Sequence, residues 1–521
     1  MSKEKVIFLF ILLFFGILNI VWVYINQTPP MWDQALYLYC SEILYDTLLN
    51  KGIHEFLRLC LEILNDKAPL ITILPLPFYI ILGNSYKVAL LVNLFFYIIA
   101  NVYFFKLSKY FTNHIGALAS VFVFNSFPII FGLLREYLVE YSLTSLVIIY
   151  LYYLIKFDSF KDNKSFIIGI ILGIGMLLKI SFPIYVLVPS TYLFIKNFSN
   201  DKKFIMAKNV LLILVIAGII VSPWYIKNYS SLINYVYSIS LGEFSAYYSM
   251  GFLDYYIYHI SYGLSFFYFI IILVLIVLKI LFLKKRYIEK ETNIGNLFLI
   301  LSIILPLVVF TISKNKDYRY LSPIYPIFAL LIGKYSNELI FSKNKFLFYF
   351  IFIISAFNFI FISFYPVNYE KRVGNFIIIS NNLMWAHYPI KDKWPIKEII
   401  EYLEKEAYKD DKVDVYVTLL FDHYYLNGIT FNYLSKNLKK NLSFRTNDFF
   451  HNKNISENIF RVREDSDFVL TKSGKYGNES LLKNTPTIDL LNSTNECFVE
   501  IAKFYLPDNT IVTIFKNKKK V

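Results

Sequence analysis

Lys67-Ala68-Pro69-Leu70-Ile71-Thr72-Ile73-Leu74-Pro75-Leu76-Pro77-Phe78-Tyr79-Ile80-Ile81-Leu82 decides how the rest of the chain is arranged. Its apolar part, Ala68 to Leu82, is about 15 residues long, short of the roughly 20 that a bilayer span needs. Pro69, Pro75 and Pro77 each remove a backbone donor and break an α-helix, so a full crossing is disfavoured. The stretch is expected to be re-entrant or to lie on the membrane surface.

Leaving it out of the span count fixes which side every later loop faces. Candidate spans are 6–26, 87–106, 114–131, 139–156, 165–181, 182–196, 208–227, 258–283, 294–313, 320–340 and 346–365. Lys3 and Lys5 put the N-terminus in the cytoplasm. Lys106/Lys109, Lys156/Lys161/Lys164, Lys196/Lys202/Lys203/Lys208, Lys284/Lys285/Arg286 and Lys343/Lys345 then all fall inside, as the positive-inside rule requires. If 68–82 crossed, these loops would face outward. The expected fold is a polytopic α-helical membrane protein of about 11 to 13 spans. The apolar stretch at 6–25 outlasts a secretory h-region and no small-residue cleavage site follows, so it is expected to be a retained first span.

Composition agrees. The 521 residues are 57% hydrophobic and 17% charged, with 44 Tyr and 51 Phe, which excludes disordered, fibrous and small secreted classes. The net charge of +14 sits in short clusters between apolar runs, so it marks topology and not a nucleic-acid surface. Cys40, Cys60 and Cys497 make neither a disulfide framework nor a CxxC site. There is no P-loop, HExxH, GxSxG or paired His set, and His387 and His423 read as ordinary histidines.

Two domains are expected: a multispanning part over 1–366 with a large first external loop at 27–86, and an extracytoplasmic α/β domain over 367–521. In the loop, Ile53 to Leu64 carries His54, Glu55, Arg58 and Glu62 on one helical stripe, and Leu36 to Leu48 has its own polar side, so two surface-lying helices are expected. In the C-terminal part, strand-like strings (413–420, 468–471, 498–504, 510–515) alternate with helix-like ones (395–408, 424–437), and Leu506-Pro507-Asp508-Asn509 makes a hairpin turn.

The polar residues near the outer face are the candidates for chemistry. Asp33, in Trp32-Asp33-Gln34-Ala35-Leu36-Tyr37, is either a general base at the bilayer rim or an N-cap for the next helix. Lys67 is either a cation placed for an interfacial phosphate or a snorkelling lysine. Arg135 and Glu140 either face a common cavity or form a structural ion pair. Lys314, Lys316, Asp317 and Arg319 put positive charge on the disfavoured side, which an anionic ligand explains better than topology does.

The order of these pieces resembles the C-type (GT-C) multispanning glycosyltransferases, within them the protein O-mannosyltransferase and aminoarabinose transferase group (glycosyltransferase family 39-like). The matching strings are Trp32 to Tyr37, Lys67-Ala68-Pro69-Leu70, Arg135 to Glu140, Gly173-Ile174-Gly175-Met176-Leu177-Leu178-Lys179, Pro223-Trp224-Tyr225 with Asn228, and Arg319-Tyr320-Leu321-Ser322-Pro323, spread over about residues 1–370. The resemblance implies transfer of a sugar from a polyprenyl-phosphate donor to a protein, lipid or glycan acceptor on the outer face of the membrane. It implies Asp33 as catalytic base, Lys67, Arg135, Lys316 and Arg319 as holders of the lipid phosphate, and Tyr37, Glu140, Glu243 and Tyr320 as contacts to acceptor or sugar. Gln34 replaces a second acidic residue of many relatives, which weakens the case for a divalent metal there, and Glu140 stands where Asp is common; no cofactor is expected. A third-loop lid would carry Glu243 and Asp254. The competing classes are a lipid-linked glycan transporter, which predicts pseudo-repeats and mid-span charges, and a non-catalytic envelope scaffold, in which changing Asp33 is harmless.

Overall fold

The computed structural model describes residues 2–156, 165–198, 203–241, 250–282, 295–340, 345–383, 385–409, 414–446, 454–474, 485–492 and 497–518. They form two compact units: Met1–Tyr24 with Leu44–Pro389, and Ile25–Ile43 with Ile390–Val521.

The first unit is built from helices. They begin with α1 (Lys3–Ile25), α2 (Trp32–Cys60, whose first residues belong to the second unit), α3 (Leu70–Ile73), α4 (Leu76–Leu82), α5 (Tyr86–Ala89) and α6 (Leu91–Ser108). Next come α7 (His114–Ser126), α8 (Pro128–Leu134), α9 (Val139–Lys156), α10 (Ser165–Leu178), α11 (Phe182–Asn197) and α12 (Lys203–Lys227). The remaining helices are α13 (Tyr229–Ser240), α14 (Phe252–Tyr258) with a π-helical turn to Leu264, α15 (Phe266–Phe282), α16 (Gly295–Ile312), a 3-10 turn (Tyr318–Ile324), α17 (Tyr325–Ile340) and α18 (Lys345–Phe364). A hairpin, β1 (Glu370–Val373) and β2 (Phe376–Ser380), follows.

Among the described residues, six helical stretches are long and apolar enough to cross a membrane: α1, α5 with α6, α9, α12, α16 and α18. Two bent pairs raise this to up to eight. One is α7 with α8 at 66°, where Pro128 opens the second helix; the other is Phe252–Leu264 with Phe266–Leu278 at 97°, where Ser265 takes φ 71°. The other three expected spans are filled by α10, α11 and α17, helices of 14, 16 and 16 residues. The proline-rich stretch breaks into α3 and α4, of 4 and 7 residues, each starting directly after a proline. The two expected surface helices of the first loop are merged in α2 across a non-helical Gly52 at φ 82°.

Close helix approach rests on small residues, as is usual where lipid supplies no hydrophobic drive between helices. A Cβ on Gly333 of α17 would stand 2.5 Å from the Ser120 backbone nitrogen and 2.7 Å from the Gly116 carbonyl of α7. Large apolar side chains such as Phe10 on α1, Phe204 and Ile219 on α12 and Ile353 on α18 point outward, as lipid-facing residues do.

The second unit is an α/β layer structure: α19 (Ile396–Tyr408), β3 (Val415–Leu419), α20 (Gly428–Asn437), β4 (Leu442–Arg445), α21 (Ile455–Asp465), β5 (Phe468–Lys472), α22 (Ile488–Asn492), β6 (Phe498–Tyr505) and β7 (Ile511–Asn517). The sheet order is β4-β3-β5-β7-β6, with β4, β3 and β5 parallel and β5-β7-β6 antiparallel. Alternation along the strands feeds two cores. Val415, Val417, Leu419, Phe468 and Leu470 pack with Ile399, Ile400 and Leu403 of α19, while Val469 on the opposite face packs with Val462 and Leu491. The hairpin turn falls at Leu506–Asn509, where Asp508 Oδ1 accepts from the Thr510 amide. The four-residue β4 and the polar α21 carry too little pattern to be legible in sequence.

Candidate active site

In the first unit, one group of buried polar residues lies at the 3-10 turn that opens α17. Asp317 caps that turn, accepting from the Arg319 amide at 3.0 Å, and its carboxylate also accepts from Arg319 Nε at 2.9 Å. The guanidinium lies 5.0 Å from the centre of the Trp385 ring. Arg319 is thus fixed in rotamer by a charged hydrogen bond and an aromatic face before any ligand arrives.

Lys316, one residue before Asp317, donates to the carbonyls of Phe310, Thr311 and Ser313. These are the free carbonyls at the end of α16, and an ammonium there satisfies them and complements the helix dipole. With its three donors so used, Lys316 offers a ligand its charge. Burial pushes its pKa down.

Tyr320 follows. Its carbonyl accepts from the Tyr185 hydroxyl at 2.7 Å, and the Lys179 ammonium sits 4.4 Å from its ring centre. Lys179 donates to Glu140 Oε1 at 2.8 Å, while Glu140 Oε2 is buried with no hydrogen-bond partner among the described residues. The structure therefore brings together Glu140, Tyr320 and the lysine that ends the Gly-rich span. Pairing of Glu140 with Lys179 was not legible from local sequence, although a lysine at the end of an apolar helix was its signal.

Arg135 joins a different set of partners and does not pair with Glu140. As the C-cap of α8 it donates Nε to Asn19 Oδ1 and Nη2 to Ser363 Oγ, both at 2.7 Å. Its guanidinium lies 4.8 Å from the Trp22 ring and 4.6 Å from the Phe131 ring, and Nη1 has no hydrogen-bond partner among the described residues. Lys67, half-buried, has its ammonium 5.9 Å from the Tyr235 ring centre. The loop before it is braced from the end of α12 and the residue after it: Trp224 Nε1 donates to the Leu64 carbonyl and Asn228 Nδ2 to the Leu61 carbonyl, both at 2.9 Å. The polar stripe of the first loop forms a network, Arg58 bonding Glu55 and Glu62, and Glu62 pairing with Lys227 at 2.6 Å.

Asp33 and Tyr37 belong to the second unit. Asp33 lies in the first turn of α2, half-buried, after Trp32, which takes a positive φ of 22°. That backbone is held in place: Trp32 Nε1 donates to Asp422 Oδ1 at 3.1 Å, its ring contacts Tyr424, and Thr430 Oγ1 donates to the Pro30 carbonyl. Tyr37 is buried, and its carbonyl accepts from Ser41 Oγ. Glu243 lies outside the described residues. Among the described residues no three His, Cys, Asp or Glu side chains are grouped as metal ligands.

The fold is similar to that of several solved glycosyltransferase structures. The structure is similar to ArnT from Cupriavidus metallidurans bound to undecaprenyl phosphate, at TM-score 0.59 and 11% identity, covering 98% of each chain. It is also similar to the oligosaccharyltransferase of Archaeoglobus fulgidus, at TM-score 0.52 and 10% identity over 97% of this chain and 74% of that one. A third likeness, to the mycobacterial arabinofuranosyltransferase AftD, has TM-score 0.56 and 10% identity over 99% of this chain and 40% of that one. In sequence, residues 66–226 match the family model of dolichyl-phosphate-mannose-protein mannosyltransferases. No curated protein matches the chain.

Proposed function

We propose that this protein transfers a glycosyl group from a polyprenyl-phosphate-linked donor to an acceptor hydroxyl, on the face of the membrane opposite a cytoplasmic N-terminus. The observation that carries this is the prearranged Asp317–Arg319–Trp385 group next to the Lys179–Tyr320–Glu140 group, in a chain whose residues 66–226 match a family that uses a lipid-phosphate sugar. The placement of the basic loops supports the orientation.

In the step proposed, the acceptor oxygen attacks the anomeric carbon, a new C–O bond forms, and the bond from that carbon to the phosphate oxygen breaks. Asp33 takes the acceptor proton. Arg319 and Lys67 stabilise the charge on the departing polyprenyl phosphate, and the buried Arg135 and the helix-capping Lys316 add to the positive potential. A single displacement inverts the anomeric configuration. Glu140 and Tyr320 contact the sugar or acceptor, and Tyr37 supports the helix that carries Asp33.

The test is release of free polyprenyl phosphate from a radiolabelled polyprenyl-phosphate sugar pool by purified protein, with host membrane extract as acceptor. Wild type is expected to release it, and Asp33→Asn and Arg319→Ala to express normally and lose about two to four orders of magnitude in rate. Equal release by Asp33→Asn would remove that residue from the mechanism. Movement of intact donor across vesicles without release would favour a transporter.

A further inference from the structure

The three parallel strands of the second unit have a topological switch point. From β3 the chain passes through α20 to β4 on one side, then through α21 to β5 on the other side of β3. Open α/β sheets take ligands in the crevice outside the carboxyl ends of the strands at such a point. Here that crevice receives His423, Tyr424 and Tyr425 from the loop leaving β3, Lys472 at the end of β5, Asp508 from the β6–β7 turn, and Trp394 from just before α19.

These groups are arranged for hydroxyl recognition. The Trp394 ring is 5.1 Å from His423 and 5.0 Å from Tyr425, and its Nε1 is buried without a hydrogen-bond partner among the described residues. His423 Nδ1 accepts from the Tyr425 amide, which assigns the ring proton to Nε2. That Nε2 stands 4.0 Å from Asp508 Oδ2, too far for a direct hydrogen bond and suited to a bridging hydroxyl. Asp508 is held by Lys472 at 3.1 Å, a lysine whose side chain is 1% exposed. Burial and the nearby Lys472 push the His423 pKa down to about 4, so the imidazole is a neutral donor.

We propose that this crevice binds a saccharide, which makes the acceptor of the transfer reaction a glycan. The proposal rests on the reading of the chain as a glycosyltransferase. Aromatic rings offer apolar faces to the C–H faces of a sugar, while Nε2–H, a carboxylate and an indole N–H meet its hydroxyls. With Lys472 already paired to Asp508 and His423 neutral, the crevice has no net positive charge to select a phosphate. Both β3 and β5 are paired on each side, so neither strand at this crevice offers an edge to an extended peptide. The loop is also tied to the candidate base, since Asp422, next to His423, accepts the hydrogen bond from Trp32, next to Asp33.

The test is saturation-transfer NMR on the full chain in nanodiscs, without donor, against methyl glycosides of mannose, galactose and N-acetylglucosamine and a Ser/Thr-containing peptide. At least one glycoside is expected to receive saturation at about millimolar concentration, with about a tenfold loss of affinity in Tyr424→Ala and His423→Ala. Tyr424 is 48% exposed, so its truncation leaves the fold intact even if His423→Ala does not. Saturation of the peptide alone, no saturation of any glycoside, or binding unchanged in Tyr424→Ala would each overturn the proposal. Because no donor is present, failed sugar transfer with intact glycoside binding would count against the transferase reading alone.

Discussion

Replacing Lys179 with Met leaves the Glu140 carboxylate buried without its cation. The two charges are 2.8 Å apart, with side-chain exposures of 18% and 3%. At an effective dielectric of about 20 their attraction is about 6 kcal/mol, and the measured loss on breaking one side of such a pair is about 3 to 5 kcal/mol. Glu140→Gln is expected to lose less, because Lys179 keeps access to water. The double variant should recover most of the loss, to within about 1 kcal/mol of Glu140→Gln alone, since it removes both charges. Denaturant unfolding of the purified protein in micelles, followed by tryptophan fluorescence, reads all four corners of the cycle. Strictly additive losses, or a Lys179→Met protein as stable as wild type, would refute the pairing as a determinant of this region. The two variants that lack Lys179 should release polyprenyl phosphate more slowly whatever their stability, because the Lys179 charge over Tyr320 is gone.

Further outcomes follow from single contacts. Burial raises the Asp422 carboxyl to about 6, partly opposed by the Trp32 hydrogen bond. A folded value above the unfolded one means this group's stabilisation is complete below about pH 4, falls as pH rises to about 6, and stays lost above that. Asp422→Asn keeps an acceptor for Trp32, so its gain over wild type should grow across that window to about 3 kcal/mol. His423, with its lowered value, runs the other way in both proteins and cancels in the difference. Hydrogen exchange of β3 and β5 in the full chain reads the result, and a pH-independent difference would remove the burial argument. Trp224→Phe removes the bond to the Leu64 carbonyl and should destabilise by about 1 kcal/mol while raising the donor KM more than it lowers kcat; equal changes in both would mean that this brace does not position Lys67.

The parts of the architecture that depend on short-range pattern were legible before any coordinates. Apolar runs of span length, the three prolines of 68–82 and the period-2 strings after residue 413 each report on the chain within about 20 residues. The helical membrane unit, the broken 70–82 stretch and the sheet with its 506–509 hairpin follow them closely. Span length was less readable: α7 with α8 and α14 with α15 are bent at Pro128 and Ser265, and α10, α11 and α17 are short.

Pairings across long separations were decided by tertiary packing. Glu140 meets Lys179, 39 residues on, and leaves Arg135 to a box formed by Asn19, Ser363 and aromatic rings. Lys316, noticed for its charge, caps the carbonyls of α16 because the chain turns back there. Trp32 finds Asp422 at a separation of 390 residues, and with it residues 25–43 join the C-terminal α/β unit. Sequence by itself determined the periodicities, the basic clusters between apolar runs and the supply of polar groups. Only the folded structure decided which of those groups share a partner, because that depends on which helices and strands become neighbours, and local pattern carries no record of it.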